Sequence, residues 1–205
     1  MGHGDPRQHD GAAGNGTMTM SSLLHVVRLP APGGHVEGGK PPMLILLHGV
    51  GSTERSMAQH APAFDLRFVV LSVRSPLTLG PDAFGWFHVR FTATGPVINA
   101  DEAQAGWRLL GEFIDDTVTR YDADPTRVFL AGFSQGGIMA LATLLAAPSK
   151  VAGAVVMSGR LLPEVLPHAA SGDALRDTPL LIVHGADDEK LGVQYARWAR
   201  EQLEQ

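Results

Sequence analysis

The sequence predicts an α/β fold, a mostly parallel sheet with helices on both faces. Largely apolar runs at residues 43–47, 68–73, 128–131, 151–158 and 180–183 read as strands buried on both sides. Between them lie stretches of helical periodicity, at Ala103, Trp107, Leu110, Ile114, Val118 and Tyr121, and again at Ile138, Met139, Ala142 and Leu145. Strands that alternate with helices need crossover connections, and crossovers build a parallel sheet.

Composition bounds the rest. A chain of 205 residues with 44% hydrophobic and 18% charged residues is expected to form one domain with a sizeable core. The net charge of −5, with no long basic run, argues against a nucleic-acid partner. The absence of cysteine excludes disulfides, thiolate nucleophiles and cysteine-based metal sites. No apolar stretch approaches the ~18 residues that span a bilayer, so no stable membrane anchor is expected, and a cytoplasmic location is. Residues 1–20 are rich in Gly, His and Asp and lack the charged-then-apolar order of a secretory signal. They read as a disordered tail, in which His3 and His9 are too isolated to form a metal site. Residues 21–205 read as the single folded domain.

Taken in order, residues 23–29 form a first strand. Residues 30–40 are a Pro/Gly loop with a short edge strand near Val36. The run at residues 43–47 ends in His48-Gly49-Val50-Gly51. There Ser52 or Thr53 caps a helix with Glu54 and Arg55 on its exposed side. The strand at residues 68–73 leads to a long aromatic loop over residues 83–96, with Phe84, Trp86, Phe87 and Phe91. Such a loop either lines a pocket or is pinned to the core by its rings. Asn99 and Glu102 form a capping box ahead of a long amphipathic helix that ends near Asp124-Pro125. Past residue 158 come a Pro-broken connection, the strand at residues 180–183, and a last helix over residues 193–203 with Tyr195, Ala199 and Leu203 inward.

The most informative stretch joins the strand at residue 128 to the helix after it. Gly132, Ser134 and Gly136 fit G-x-S-x-G, a sharp strand-to-helix turn that mounts a serine above the sheet, with the helix N-terminus beneath it. The flanking glycines are needed because side chains there would clash. About one chain of this composition in eight matches the pattern by chance. The strand before it and the helix after it are what give it weight.

Together with His48-Gly49, Trp86-Phe87, Gly132-Phe-Ser-Gln-Gly-Gly137, Ser158-Gly159 and His184-Gly-x-x-Asp188, this elbow resembles the phospholipase/carboxylesterase family of α/β-hydrolases, which includes acyl-protein thioesterases. The resemblance runs from about residue 44 onward. It implies an α/β-hydrolase fold and a serine carboxylesterase-like activity on small to medium acyl esters, with thioesters or lysophospholipids as further substrates. It implies Ser134 as nucleophile, Asp188 as the acid, the N–H groups of Val50 and Gln135 as oxyanion hole, and Trp86 and Phe87 as substrate-binding residues. No cofactor and no metal are implied. An acyl-transfer site needs two such preorganised donors aimed where negative charge develops.

In that family's order the catalytic histidine follows the acid. Here His184 is the last of nine histidines, so no catalytic His is found after Asp188. The resemblance therefore implies a domain lacking its last strand and helix, C-terminally truncated. It offers a second reading, a catalytically impaired or inactive hydrolase-fold binding protein. His48, His88, His168 and His184 are the substitutes to consider as base. The strand at residues 180–183 would then form an apolar edge, which makes a homodimer plausible.

Overall fold

The computed structural model describes residues 23–32 and 39–204. The tail and the strand near Val36 lie outside them. Two interior strands, β2 (Met43–Leu47) and β3 (Val69–Val73), are buried at every residue. Alternate residues supply two separate cores. Met43, Ile45 and Leu47 belong to the larger core, and Leu44 and Leu46 to the smaller one on the other face.

The main sheet has six strands in the order β1-β3-β2-β8-β9-β10. β1 (His25–Arg28) runs antiparallel to β3. β8 (Val128–Phe133) pairs parallel with β2 and with β9 (Gly153–Met157), and β9 pairs parallel with β10 (Leu180–Val183). The larger core lies under α2 (Ala100–Arg120), α3 (Gln135–Ala146) and α5 (Gln194–Leu203). The smaller core lies under α1 (Glu54–Ala58). A 3₁₀ turn at Pro163–His168 and the one-turn α4 (Gly172–Leu175) complete the connection expected after residue 158.

The caps follow the sequence in part. Thr53 caps α1, its hydroxyl accepting from the Ser56 N–H at 3.3 Å. Asn99 caps α2, its Oδ1 accepting from the Glu102 N–H at 3.2 Å. Only half of the capping box forms, because the Glu102 carboxylate turns to His88 and accepts its backbone N–H at 2.7 Å.

Four expectations are corrected. Glu54 is buried, since Arg74 reaches it with two hydrogen bonds of 2.7 Å and removes its need for solvent. The stretch at residues 83–96 is not a loop. β4 (Leu77–Gly80) pairs antiparallel with β5 (Ala83–Gly85), and β6 (Val89–Thr92) with β7 (Gly95–Ile98). Strands of three or four residues carry too little alternation to register in the sequence. β10 is not buried on both faces. It is an edge strand among the described residues, and Leu181 and Val183 are 56% and 50% exposed because none of the described helices covers that side. On α5 the buried residues are Ala196 and Ala199, while Tyr195 faces Arg160 and the β6–β7 hairpin at Gly95.

Candidate active site

Ser134 sits between β8 and α3 with φ 51° and ψ −116°, a conformation that non-glycine residues rarely adopt. Such a residue costs of order 1–3 kcal/mol and persists only where its surroundings fix it. Here they do. The Ser134 N–H donates to the Met157 carbonyl at 2.8 Å, and the Ser134 carbonyl accepts from the Ile138 N–H at 3.0 Å. The glycines make the close crossing feasible. A Cβ on Gly132 would lie 2.3 Å from the Gly136 backbone, and one on Gly136 would lie 2.2 Å from the Leu47 carbonyl oxygen.

Ser134 opens into a cavity of about 230 Å³. Phe87, Val89, Phe91, Pro96 and Ile98 form one apolar wall, and Ile138 and Leu191 add to it. The polar lining comes from Ser134, Gln135, Ser158, Arg160, Asp188 and Lys190. Phe91 and Phe133 stand at the mouth, 55% and 50% exposed. The cavity sits at the carboxyl ends of the strands, where open α/β sheets place their ligands.

Asp188 lies in the turn after β10. Its Oδ1 accepts the Lys190 N–H at 3.0 Å and the Leu191 N–H at 2.9 Å. These bonds, the Leu191 one foremost, hold its carboxyl below the usual carboxylate range, against the opposing effect of partial burial. Its Oδ2 is 3.5 Å from His184 Nε2. An ionised carboxylate therefore borders the same cavity as Ser134.

Val50 and Gln135 border it too. Among the described residues the Val50 N–H donates to no backbone carbonyl. The Gln135 N–H lies in the first turn of α3, where intrahelical acceptors are missing. Two amide donors next to a raised serine are the arrangement that a developing oxyanion calls for.

The Gln135 side chain has a task that the sequence did not signal. Its Nε2 donates to the Phe87 carbonyl at 2.7 Å, and its Oε1 accepts from the Trp86 N–H at 2.7 Å. This fixes Phe87 in the cavity wall. Trp86 does not line the cavity, which corrects the expectation for it. Its ring is buried in the larger core against Gly106 of α2, so only one of the two adjacent rings faces the cavity. The stretch is thus both pocket wall and core anchor.

None of the histidines considered as base reaches the cavity lining. His48 is buried, with Nδ1 bonded to the Gly49 carbonyl at 2.8 Å and Nε2 accepting the Ser75 N–H at 3.1 Å. That pattern fixes the neutral tautomer with the proton on Nδ1, and burial lowers its pKa. His88 pairs with Glu102, and His168 with Gln104. His184 donates to the Leu191 carbonyl. No group of three or more His, Asp or Glu among the described residues is placed to hold a metal ion. No helix among them is long and apolar enough to cross a membrane.

Arg160 is the other residue missed. It lines the cavity, and its guanidinium lies 5.5 Å from the Tyr195 ring centroid. Burial lowers its pKa, while Glu164 and Tyr195 act the other way. An arginine three residues past the end of β9 was the available signal.

A mostly parallel sheet with a serine elbow at its centre defines an α/β-hydrolase. The match to the phospholipase/carboxylesterase family model covers residues 37–205, and the chain belongs to that family. An acyl-protein thioesterase 1 of Kluyveromyces lactis is 26% identical over 175 residues, which cover 79% of this chain and 76% of that protein. A probable carboxylesterase of Oryza sativa subsp. japonica is 32% identical over 158 residues, covering 71% and 66%. A Bacillus cereus carboxylesterase structure superposes with a TM-score of 0.70 at 23% identity, over 90% of this chain and 80% of that one, which supports the fold. By family, then, the chain is a carboxylic-ester hydrolase.

Proposed function

We propose that the chain is a serine carboxylesterase acting on small to medium acyl esters, with thioesters and lysophospholipids in the same chemical range. Ser134 Oγ attacks the ester carbonyl carbon, and its proton passes to a base. The carbonyl oxygen becomes an oxyanion received by the N–H groups of Val50 and Gln135. The C–O bond to the alcohol then breaks, the alcohol leaves with a proton, and water hydrolyses the acyl-serine. Asp188 is the acid that orients the base. The observation that carries the reading is the strained backbone of Ser134, at φ 51°, on the floor of a largely apolar cavity. Strain of this kind is kept where function uses it. The modest cavity volume favours small substrates over drug-sized ones, whose pockets run to roughly 300–1,000 Å³.

A second reading, a hydrolase-fold binding protein without turnover, is favoured by one observation. No histidine among the described residues lines the cavity. Serine without a base attacks poorly, and an enzyme missing a triad member retains only ~10³–10⁴-fold catalysis over water.

Hydrolysis of p-nitrophenyl butyrate by the wild-type chain and by Ser134→Ala, each with and without added imidazole, separates the two. The esterase reading predicts a Ser134-dependent rate that imidazole raises. Equal rates for both proteins in both conditions support the binding reading instead.

A further inference from the structure

We propose that the Ser134 cavity takes esters that also carry a carboxylate, and that Arg160 is the residue that selects them. The inference rests on the reading of this cavity as an ester site and narrows its substrate class. Three observations carry it.

The first is charge. The chain has a formal net charge of −5, yet the cavity wall holds two cations, Arg160 and Lys190, and one carboxylate, Asp188. Asp188 is already engaged by the backbone N–H groups of Lys190 and Leu191. Among the described residues neither cation forms an ion pair within 4.0 Å, whereas Lys40, Arg67, Arg74, Arg127 and Lys150 each do.

The second is the state of the guanidinium. Arg160 is partly buried, and among the described residues it makes no hydrogen bond. Its donors are not among the buried unpartnered atoms, so they stay accessible from the cavity while engaged by no protein acceptor, and a partly desolvated guanidinium gains from an anionic partner there. Glu164 acts on it only at range, and Glu164 Oε2 is itself buried without a hydrogen-bond partner. The Tyr195 ring holds the guanidinium within cation–π distance, which leaves the N–H groups available. Such a fork matches a carboxylate with two parallel hydrogen bonds.

The third is mounting. Arg160 follows Ser158, at φ 47°, and Gly159, where a Cβ would lie 2.7 Å from Val156 Cγ1. The loop leaves β9 along a tightly constrained path, and Ser158 borders the cavity beside Arg160. A cation fixed at one side of an apolar wall suits a short hydrocarbon chain with an ester at one end and a carboxylate at the other.

The test compares two ligands of equal chain length on the full chain carrying Ser134→Ala, so that neither is turned over. Monomethyl adipate is an anion at neutral pH, and dimethyl adipate is neutral. Isothermal titration is expected to show the monoanion binding at least about tenfold tighter. Arg160→Met should erase the preference while leaving the diester affinity within about twofold, and Arg160→Lys should restore part of it. Equal affinity for the two ligands overturns the proposal without reference to any Arg160 variant. So does a preference that survives Arg160→Met. Tighter binding of butyl phosphate than of monomethyl adipate also overturns it, by assigning the cation to a phosphate. Because neither ligand reacts, an inert Ser134 leaves this comparison intact. Ester turnover by the wild-type chain without a charge preference would sink this inference alone.

Discussion

The Gln135 carboxamide clamps the backbone on both sides of the Trp86–Phe87 peptide, donating to the Phe87 carbonyl at 2.7 Å and accepting from the Trp86 N–H at 2.7 Å. The residue whose backbone N–H stands next to Ser134 thus also fixes the ring that walls the cavity. Gln135→Glu removes the donor and leaves the buried Phe87 carbonyl facing a carboxylate. An unsatisfied buried group costs about 1–3 kcal/mol, and more beside a charge. We expect urea denaturation to show a loss at the upper end of that range. Gln135→Met, which takes away both partners, should behave similarly, since two backbone groups lose their bonds.

Gly136→Ala would place a methyl 2.2 Å from the Leu47 carbonyl oxygen, a contact between two backbone segments that cannot give way. We expect a loss above about 4 kcal/mol, the range that marks a specific structural clash. Gly111 in α2 is the control, because a Cβ there meets nothing within 4 Å. Gly111→Ala should raise stability by about 0.5–1 kcal/mol, as alanine does in a helix. Melting temperatures of the two variants should therefore move in opposite directions.

Glu54 and Arg74 form a two-bond pair behind the His48 loop, with the Arg74 guanidinium 4.3 Å from the Phe84 ring centroid. Arg74 lowers the Glu54 pKa through these bonds, and burial opposes it. Removing one partner of a buried pair costs about 3–5 kcal/mol, and the lower end applies here because the Arg74 side chain is 27% exposed. Glu54→Gln and Arg74→Met should each destabilise by about that amount, and the double variant by clearly less than their sum. Additive losses in a double-mutant cycle would show that the pair is not coupled.

The same corner of the molecule sets a pH response. The folded His48 pKa lies below its ordinary value near 6.5, chiefly because the ring is buried. Below about pH 6.5 the unfolded chain therefore takes up a proton that the folded chain refuses, and stability falls with pH toward the folded value. The Asp65 and Asp124 carboxyls, each lowered from 3.8 to about 2, act only further down, from about pH 4 to pH 2. Stability measured from pH 7 to pH 5 should slope downward in the wild-type chain and be flat in His48→Gln. An unchanged slope in the variant would place the responsible group elsewhere.

How much of this was legible follows from the length scale of each signal. The strands at Met43–Leu47 and Val128–Phe133 and the 21-residue α2 extend far enough for apolar runs and helical spacing to be read locally. Ser134 was legible because steric crowding forces glycines on both sides of it. The hairpins between Leu77 and Ile98 were not, since three- or four-residue strands are defined by pairing partners. Glu54 looked exposed because its partner Arg74 lies just past the end of β3, 20 residues further along the chain. Arg160 and the Gln135 clamp escaped for the same reason, because their roles depend on contacts far away in sequence.

The central claim is that Ser134 is an acyl-accepting nucleophile. The most direct measurement is intact-protein mass spectrometry after exposure to a fluorophosphonate in the presence of imidazole, followed by peptide mapping. The account predicts one phosphonyl group per chain, located on Ser134 and absent from the Ser134→Ala variant. An unmodified Ser134 under conditions that label other residues, or the same adduct spectrum from both proteins, would contradict it.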